Sequence, residues 1–102
     1  MSIAENRYAN QQNITVPQGE SFQASSGNLQ RRALYVQNKS GGSIYISFGA
    51  PVTYSVTVGY SGIEIPPFTM FTMDENCTTD PVQLRGDNIL VGNDCVYTEV
   101  TI

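Results

Sequence analysis

The stretch RRALYVQNKSGGSIYISFG, residues 31–49, decides the fold of this chain. Two runs of alternating apolar residues flank a short Gly-Ser segment, and a period of two is typical of β-strands with one buried face. The expected buried set is Leu34, Val36, Ile44, Ile46 and Phe48. The opposite face carries Tyr35, Gln37, Tyr45 and Ser47. The stretch therefore predicts two strands that place two tyrosines away from the core.

The simplest arrangement of these two strands is a β-hairpin. Both buried sets are even-numbered, so direct pairing requires an odd number of loop residues. A three-residue loop with a left-handed glycine beside a bulge satisfies that requirement, and either 39–41 or 40–42 fits. The prediction holds only if both strands belong to the same sheet.

The rest of the chain also consists of short extended runs separated by turn residues. PVTYSVTVGY, residues 51–60, alternates throughout and predicts a half-buried strand. FTMFTM, residues 68–73, is apolar on both faces and predicts a central or covered strand. In the final run, VYTEVTI, the expected buried face is Val96, Thr98, Val100 and Ile102.

The sequence contains about nine strand candidates and no amphipathic helical period. Frequent turn signals between short strands indicate an antiparallel sandwich or a small barrel. We therefore expect an all-β protein: a single antiparallel β-sandwich or jelly-roll-like domain of about eight to nine short strands over residues 14–102, preceded by a polar N-terminal arm over residues 1–13.

Charge and hydropathy argue against nucleic acid and membrane as partners of this chain. Only 14% of the 102 residues are charged, the net charge is −4, and no basic cluster is present, so direct nucleic-acid binding is not expected. No apolar run is long enough for a membrane span, and the start has no apolar segment typical of a secretory signal. We expect a protein that is made and kept in a cytoplasm, or that is exported by a route the sequence does not show. Its low charge favours contact with other protein.

The chain lacks most of the residue types and patterns that enzymes use for catalysis. It has no histidine, which excludes the commonest general base and every His-based triad. The acidic loop residues Asp74, Glu75 and Asp80 are interpreted as solvated turns, and Arg85-Gly86-Asp87 as a turn and not an adhesion motif. The sequence therefore predicts a protein that is not an enzyme and has no cofactor and no metal.

The chain has two cysteines, Cys77 and Cys95, both in polar, turn-like contexts. One disulfide between them is conceivable, but two free thiols are favoured in a chain without a secretory signal. Without histidine, two cysteines do not make a four-ligand zinc site in one chain unless carboxylates join them.

The six tyrosines are the main candidates for partner contact. Tyr54 and Tyr60 alternate with valines and are expected in the core. The others of interest lie in the arm or alternate away from the apolar set of their strands: Tyr8, Tyr35, Tyr45 and Tyr97. Two interpretations stay open for them, a sheet face that the fold covers and a contact surface for another subunit.

Residues 31–73 and the last strand resemble small virion proteins of tailed bacteriophages. An Arg-x-x-Leu-x-x-Gln-Asn stretch, as at residues 31–38, precedes a Gly-Ser turn and an Ile-x-Ile-x-Phe-Gly strand, as at residues 44–49. A Gly-Ile-x-Ile-Pro element follows at residues 62–66, and the chain ends in a Val-x-x-Glu-Val strand at residues 96–100. The residues from Cys77 to Cys95 depart from this pattern.

The resemblance implies a small β-sandwich that serves as a capsid decoration (cement) protein, a head-fibre base or a tail component. The expected partners are the major capsid protein or another virion protein, with a homo-oligomer favoured, and the expected location is the virion, which assembles in the bacterial host cytoplasm. A tail or receptor/carbohydrate-binding β-sandwich module is the alternative.

Overall fold

The computed structural model describes residues 8–87 and 92–102, and these ranges form ten β-strands and no helix. The strands are β1 (Tyr8–Pro17), β2 (Phe22–Ser25), β3 (Arg31–Asn38), β4 (Ile44–Phe48), β5 (Tyr54–Ser55), β6 (Gly59–Tyr60), β7 (Ile63–Ile65), β8 (Met70–Met73), β9 (Val82–Gly86) and β10 (Gly92–Thr101). Within the described ranges there is thus no helix that could span a membrane.

Eight of these strands form two four-stranded antiparallel sheets. The first sheet has the order β1-β10-β3-β8 and the second has the order β2-β9-β4-β7, while β5 and β6 pair separately. Apart from that small pair and the step from β4 to β7, successive strands alternate between the two sheets. Such alternation is the topology of a jelly roll, a double sheet built of two Greek keys. The predicted all-β, jelly-roll-like sandwich is confirmed.

The core lies between the two sheets and contains the apolar residues that the alternation predicted. Leu34, Val36, Ile44 and Ile46 are fully buried, and Phe48 packs against them from the margin. Burial of one such side chain stabilises the fold by roughly 1.5–3 kcal/mol. The predicted burial of this set is therefore confirmed.

The predicted hairpin between β3 and β4 is wrong. β3 lies between β10 and β8 in the first sheet, whereas β4 lies between β9 and β7 in the second. Residues 39–43 cross from one sheet to the other, so the parity argument for an odd-numbered loop does not apply. Alternation identified the buried face of each strand correctly, but strands that face each other across a sandwich show the same alternation as strands that pair.

A buried polar network fixes this crossing. The side-chain amide of Asn38 donates to the carbonyl oxygens of Gly42 (2.8 Å) and Ile65 (3.0 Å), and its Oδ1 accepts the backbone N–H of Ser40 at 2.9 Å. Asn93 of β10 donates to the hydroxyl of Ser40 at 2.9 Å. A Cβ at Gly42 would lie 2.8 Å from Nδ2 of Asn93, so the network requires glycine at this position.

The run 51–60 is not the half-buried strand that its alternation predicted. It folds back as the β5–β6 hairpin, in which Tyr54 pairs with Tyr60. Val52 is buried, but Val56 is 92% exposed and Val58 is 84% exposed. The expected core positions of Tyr54 and Tyr60 are also wrong, because the hairpin lies outside the sandwich and its valines are at the tip.

Two further strands differ from their predictions. β8, from the FTMFTM run, is an edge strand with Met70 57% exposed, and not a central strand. In β10 the predicted face is only partly correct: Val96 is buried, but Cys95 and Tyr97 of the opposite face are the residues that belong to the core cluster. Tyr97 can face inward because its hydroxyl donates a hydrogen bond to the half-buried Glu99, which the apolar pattern of the run does not indicate.

The predicted arm overlaps with β1. Residues 8–13 are part of this strand, which pairs with β10 from Tyr8 opposite Thr101 to Pro17 opposite Gly92. The boundary predicted between residues 13 and 14 therefore falls inside a regular strand. Residues 1–7 of the arm lie outside the described residues. The apolar run at 89–91, whose sequence predicts another short strand, lies outside them as well.

Candidate contact surfaces

Tyr97, predicted as a contact residue, belongs instead to a buried cluster around Arg31. Tyr97 is 1% exposed, and its hydroxyl donates to Glu99 Oε1 at 3.1 Å. The Arg31 guanidinium donates to the same oxygen through Nε at 2.5 Å. Tyr97 therefore has no surface to offer a partner, and this prediction is wrong.

Arg31 is 1% exposed and ties four segments together. Besides Glu99 of β10, it donates to the carbonyl oxygens of Thr78 (2.9 Å) and Asp80 (2.7 Å) in the loop between β8 and β9. It also donates to the hydroxyl of Ser25 and the carbonyl oxygen of the next residue, each at 3.0 Å. Every side-chain nitrogen of Arg31 thus has an acceptor, as a buried guanidinium requires.

The charge of Glu99 depends on Arg31. Burial by itself would raise the pKa of this carboxyl, but hydrogen bonds from Arg31 and Ser25, with the positive charge of Arg31, outweigh it. The pKa of Glu99 consequently lies below its usual value. The pair stabilises the end of the sandwich opposite the Asn38 network.

The outer face of the first sheet carries no charged side chain along its middle rows. In antiparallel strands directly paired residues share a face. Tyr35 pairs with Thr98 on one side and with Thr72 on the other, and Gln37 pairs with Val96 and Met70. We call this surface the neutral face; its members are Ala9, Gln11, Asn13, Ala33, Tyr35, Gln37, Met70, Thr72, Val96, Thr98 and Val100. Ala33 and Val96 are themselves buried, so the other members provide its exposed area.

Tyr35 lies half-buried in the middle of the neutral face, on a central strand. Its position agrees with the prediction that it points away from the core. Asparagine, glutamine, threonine and small apolar side chains surround it. Such a flat, uncharged surface has a low desolvation cost when it packs against protein, because no ion must leave water.

Tyr45 lies on the outer face of the second sheet, where it holds the β5–β6 hairpin. Its ring stacks on Tyr60 with centroids 3.9 Å apart and an interplanar angle of 11°. Tyr54 also contacts Tyr60, with the two ring centroids 4.6 Å apart and the rings tilted by 43°. Arg85 lies 5.8 Å from the Tyr60 ring and donates to the carbonyl oxygen of Val52 at 3.2 Å. Burial raises the pKa of Tyr45, as does the charge of Glu64.

The tip of this hairpin is the second exposed surface. Val56 and Val58 project into solvent at 92% and 84% exposure, and Ile63 beside the hairpin is 52% exposed. We call residues 54–60 the tyrosine hairpin. Because aromatic packing fixes its base, the two valines are presented in a defined position, which favours a role as an anchor in a partner's pocket.

Tyr8 is at the start of β1, where it pairs with Thr101 and is 62% exposed. It is separated from Tyr45, which lies on the other sheet. The four predicted contact tyrosines therefore do not form one site: one is on an edge, one on the neutral face, one under the tyrosine hairpin, and one in the core.

The acidic loop residues and the Arg-Gly-Asp triplet do not form a reactive or adhesive site. Asp74, Glu75 and Asp80 are exposed, and the described ranges contain no cluster of three side chains able to bind a metal. Asp87 of the Arg-Gly-Asp triplet is 7% exposed and accepts the backbone N–H of Ser43 at 2.8 Å. The triplet is thus built into the fold and is not an exposed adhesive loop.

Both cysteines are free thiols. Cys95 is buried beside a small open pocket between β1 and β10, and burial raises the pKa of its thiol to about 11. Cys77 is half-buried, and burial also raises the pKa of its thiol. Neither thiol is activated as a nucleophile, which requires a lowered pKa. The prediction that the protein is not an enzyme stays a prediction.

No family model and no curated protein matches this chain. Among solved structures, a chain of Bacillus endospore appendages, described as a novel family of disulfide-linked pili, is similar over 99% of this chain and 96% of its own, with a TM-score of 0.51 and 16% identity. A de novo designed double-stranded β-helix is similar over 89% of this chain and 97% of its own, with a TM-score of 0.50 and 16% identity. Likeness at this identity shows the fold alone.

Sequence reasoning missed two features of these surfaces. The exposed valines of the tyrosine hairpin alternate with polar residues as buried valines do, so no local signal marked them. The role of Arg31 was also missed. The available signal was an arginine at the start of a strongly apolar strand, with Glu99 in another apolar strand as a possible partner, because arginine is the residue that buried ion pairs favour.

Proposed function

We propose that this chain is a non-enzymatic structural protein of a bacteriophage particle, where it binds neighbouring coat subunits and decorates or cements the capsid. The observation that carries the proposal is the neutral face, an uncharged sheet surface to which four strands contribute. The sequence resemblance to small virion proteins supplies the setting. Jelly rolls occur among viral capsid domains, which is an analogy of fold and not of site.

The mechanism is passive and uses preformed surfaces. The neutral face buries polar and aromatic area against a neighbour, and the valines of the tyrosine hairpin insert into an apolar pocket of a coat subunit. Each contact is modest, but many copies on one particle bind neighbours that are already fixed in a lattice, so that avidity raises the overall affinity. The partners are the major capsid protein or another virion protein, and the location is the virion.

Charge supports protein as the partner, in preference to nucleic acid or a membrane. The chain has five Lys and Arg against nine Asp and Glu. A nucleic-acid interface needs clustered positive charge to replace phosphate counterions. An anionic membrane surface attracts polybasic segments for a related electrostatic reason.

The alternative is a tail or receptor/carbohydrate-binding module. Sugars stack on the free faces of aromatic rings, but Tyr45 and Tyr60 stack on each other, and Tyr54 packs against the same pair. Tyr35 is the aromatic residue that this alternative requires on the neutral face. A glycan array that gives specific signals, lost with Tyr35→Ala, would favour the alternative over the capsid role.

A pair of matched variants tests the use of the neutral face. Gln37→Lys places a charge in its middle, whereas Gln30→Lys makes the same change at an exposed position outside it. We expect Gln37→Lys to lower the number of copies per purified particle and Gln30→Lys to leave it unchanged, with equal thermal stability of both proteins. Equal incorporation of both variants would contradict the proposed surface.

The tyrosine hairpin is tested in the same assay. Val56→Ser with Val58→Ser removes two exposed apolar side chains, so the free energy of unfolding should change by no more than about 0.5 kcal/mol. If the valines anchor a coat subunit, particle incorporation falls although the fold is intact. Unchanged incorporation would remove the hairpin from the proposed interface.

A further inference from the structure

One edge of β1 is not paired with any described strand, and this holds whether or not the chain is a virion protein. In the first sheet β1 is terminal, so β10 pairs with one of its edges and no other described strand pairs with the second. In an antiparallel strand, every second residue points its N–H and C=O away from its partner. Every second residue from Tyr8 to Val16 therefore presents a backbone donor and acceptor toward solvent, whereas the residue after Pro17, Gln18, bridges to Gly86 of β9.

Proteins usually protect such edges against pairing with another chain. The common devices are charged side chains, bulges, proline and very short strands. β1 has the sequence YANQQNITVP, which contains no charged residue. Its register with β10 is continuous from Tyr8 to Pro17, without a bulge, and its one proline is the last residue. The edge is thus long, regular and unprotected.

The other edges of the two sheets are different. β2 and β8 have four residues each, and β7 has three residues with Glu64 in the middle. Side chains also leave room along β1, since residues 8–13 are exposed on both faces. Among the described edges, β1 is the one that combines length with complete absence of charge.

We propose that β1 pairs antiparallel with β1 of a second copy of this chain. In a two-fold pair each edge meets itself, so any charge near its centre would face a like charge. An uncharged edge avoids this repulsion when it pairs with itself, and the two paired strands have equal length by symmetry. The two first sheets then form one continuous sheet of eight strands, β8-β3-β10-β1 followed by the same strands of the second copy in reverse order.

Symmetry also restricts the register of the pair. A two-fold axis perpendicular to the sheet passes midway between the two copies of one residue of β1 and keeps both inner faces on the same side. An axis at Gln12 gives the greatest overlap that avoids the proline: Tyr8 lies opposite Val16 of the second copy, and Gln11 lies opposite Asn13. Both neutral faces are then on the same side of the dimer, which doubles the uncharged surface.

Three proteins test the pairing: the wild type, Gln11→Lys/Asn13→Lys and Gln11→Lys/Asn13→Glu. Both positions are exposed, so all three should fold, with similar melting temperatures at concentrations where each is monomeric. In the proposed register the first variant places lysine opposite lysine twice, and the second places lysine opposite glutamate twice. Like charges directly opposite destabilise a pair, whereas opposite charges stabilise it.

Size-exclusion chromatography with light scattering measures the result over a range of concentrations. We expect the mass of two chains for the wild type and the lysine–glutamate variant, and a dissociation constant at least about tenfold higher for the lysine–lysine variant. If the wild type forms a larger assembly, the lysine–lysine variant should lower its mass. A wild type that stays monomeric, or a lysine–lysine variant that associates equally well, would overturn the proposal.

A symmetric cross-link tests the register. At the axis the two Gln12 Cα atoms are about 4.5–5.5 Å apart, which is within reach of a disulfide. Gln12→Cys is expected to form a covalent dimer on mild oxidation, whereas Gln30→Cys, exposed but away from β1, is not. Equal cross-linking of the two would contradict the register. Absence of the chain from phage particles would leave this inference intact, so failure of the proposed function is a separate result.

Discussion

Replacement of Arg31 by methionine removes the cation that holds one end of the sandwich together. Methionine fills much of the same volume but donates no hydrogen bond. The change leaves the Glu99 carboxylate, which is 14% exposed, without its charged partner. It also leaves the carbonyl oxygens of Thr78, Asp80 and Ser26 without the donor that they now share.

The size of the effect follows from this inventory. Removal of one partner from a buried ion pair costs about 3–5 kcal/mol, because the other charge stays buried without compensation. For a domain of this size about 1 kcal/mol corresponds to about 4–8 °C in melting temperature. We therefore expect Arg31→Met to lower the melting temperature by about 12–40 °C. The underlying loss of free energy is a large fraction of the usual stability of such a domain.

Urea titration followed by circular dichroism measures the free energy of unfolding. Arg32→Met is the matched control: Arg32 is half-buried, so water screens its charge and its loss should cost about 1 kcal/mol or less. Arg31→Met/Glu99→Leu should recover part of the loss, since the orphaned carboxylate is gone. If Arg31→Met is within 1 kcal/mol of the wild type, the reasoning about this cluster is refuted.

Three other predictions concern groups in the interior. Asn38→Asp exchanges an amide donor for an acceptor that faces the carbonyl oxygens of Gly42 and Ile65, so thermal unfolding should report a loss of about 3 kcal/mol or more; a loss below 1 kcal/mol would contradict the network. In the native protein a thiol reagent should modify Cys77 before Cys95, which is buried with a pKa of about 11; equal rates would contradict its burial. The pKa of Glu99 is lowered below 4.5 in the folded state. The contribution of this carboxylate to the free energy of unfolding is therefore present above pH 4.5 and is lost as the pH falls through the folded pKa. The melting temperature of Glu99→Gln should depend less on acid pH than that of the wild type, and an equal dependence would contradict the lowered pKa.

The sequence predicted which side chains are buried better than which strands pair. Ile44 and Ile46 were assigned to the core correctly, because alternation depends only on local burial. Their strand was paired with the wrong neighbour, because a jelly roll pairs β4 with β9, about forty residues away, and sends β3 to the other sheet. The early and late ends of the chain, Tyr8 and Thr101, are also strand partners, and no local pattern indicates such a pairing.

The candidate surfaces were less predictable for a physical reason. Tyr97 and Tyr35 occupy similar positions in alternating runs, but the half-buried acceptor on Glu99 allows Tyr97 to face the core. Val56 and Val58 have the same pattern as buried valines, but their hairpin packs on the sandwich through Tyr60 and leaves the tip in solvent. In each case the deciding partner is distant along the chain, so periodicity alone does not determine the outcome.

The central claim is that this chain is a structural part of a phage particle. Quantitative mass spectrometry of gradient-purified phage particles, taken from a lysate in which this chain is expressed, measures it most directly. We predict many copies of the chain per particle, in a fixed ratio to the major capsid protein that survives repeated purification. Absence of the chain from such particles, while it is abundant in the lysate, would contradict the claim.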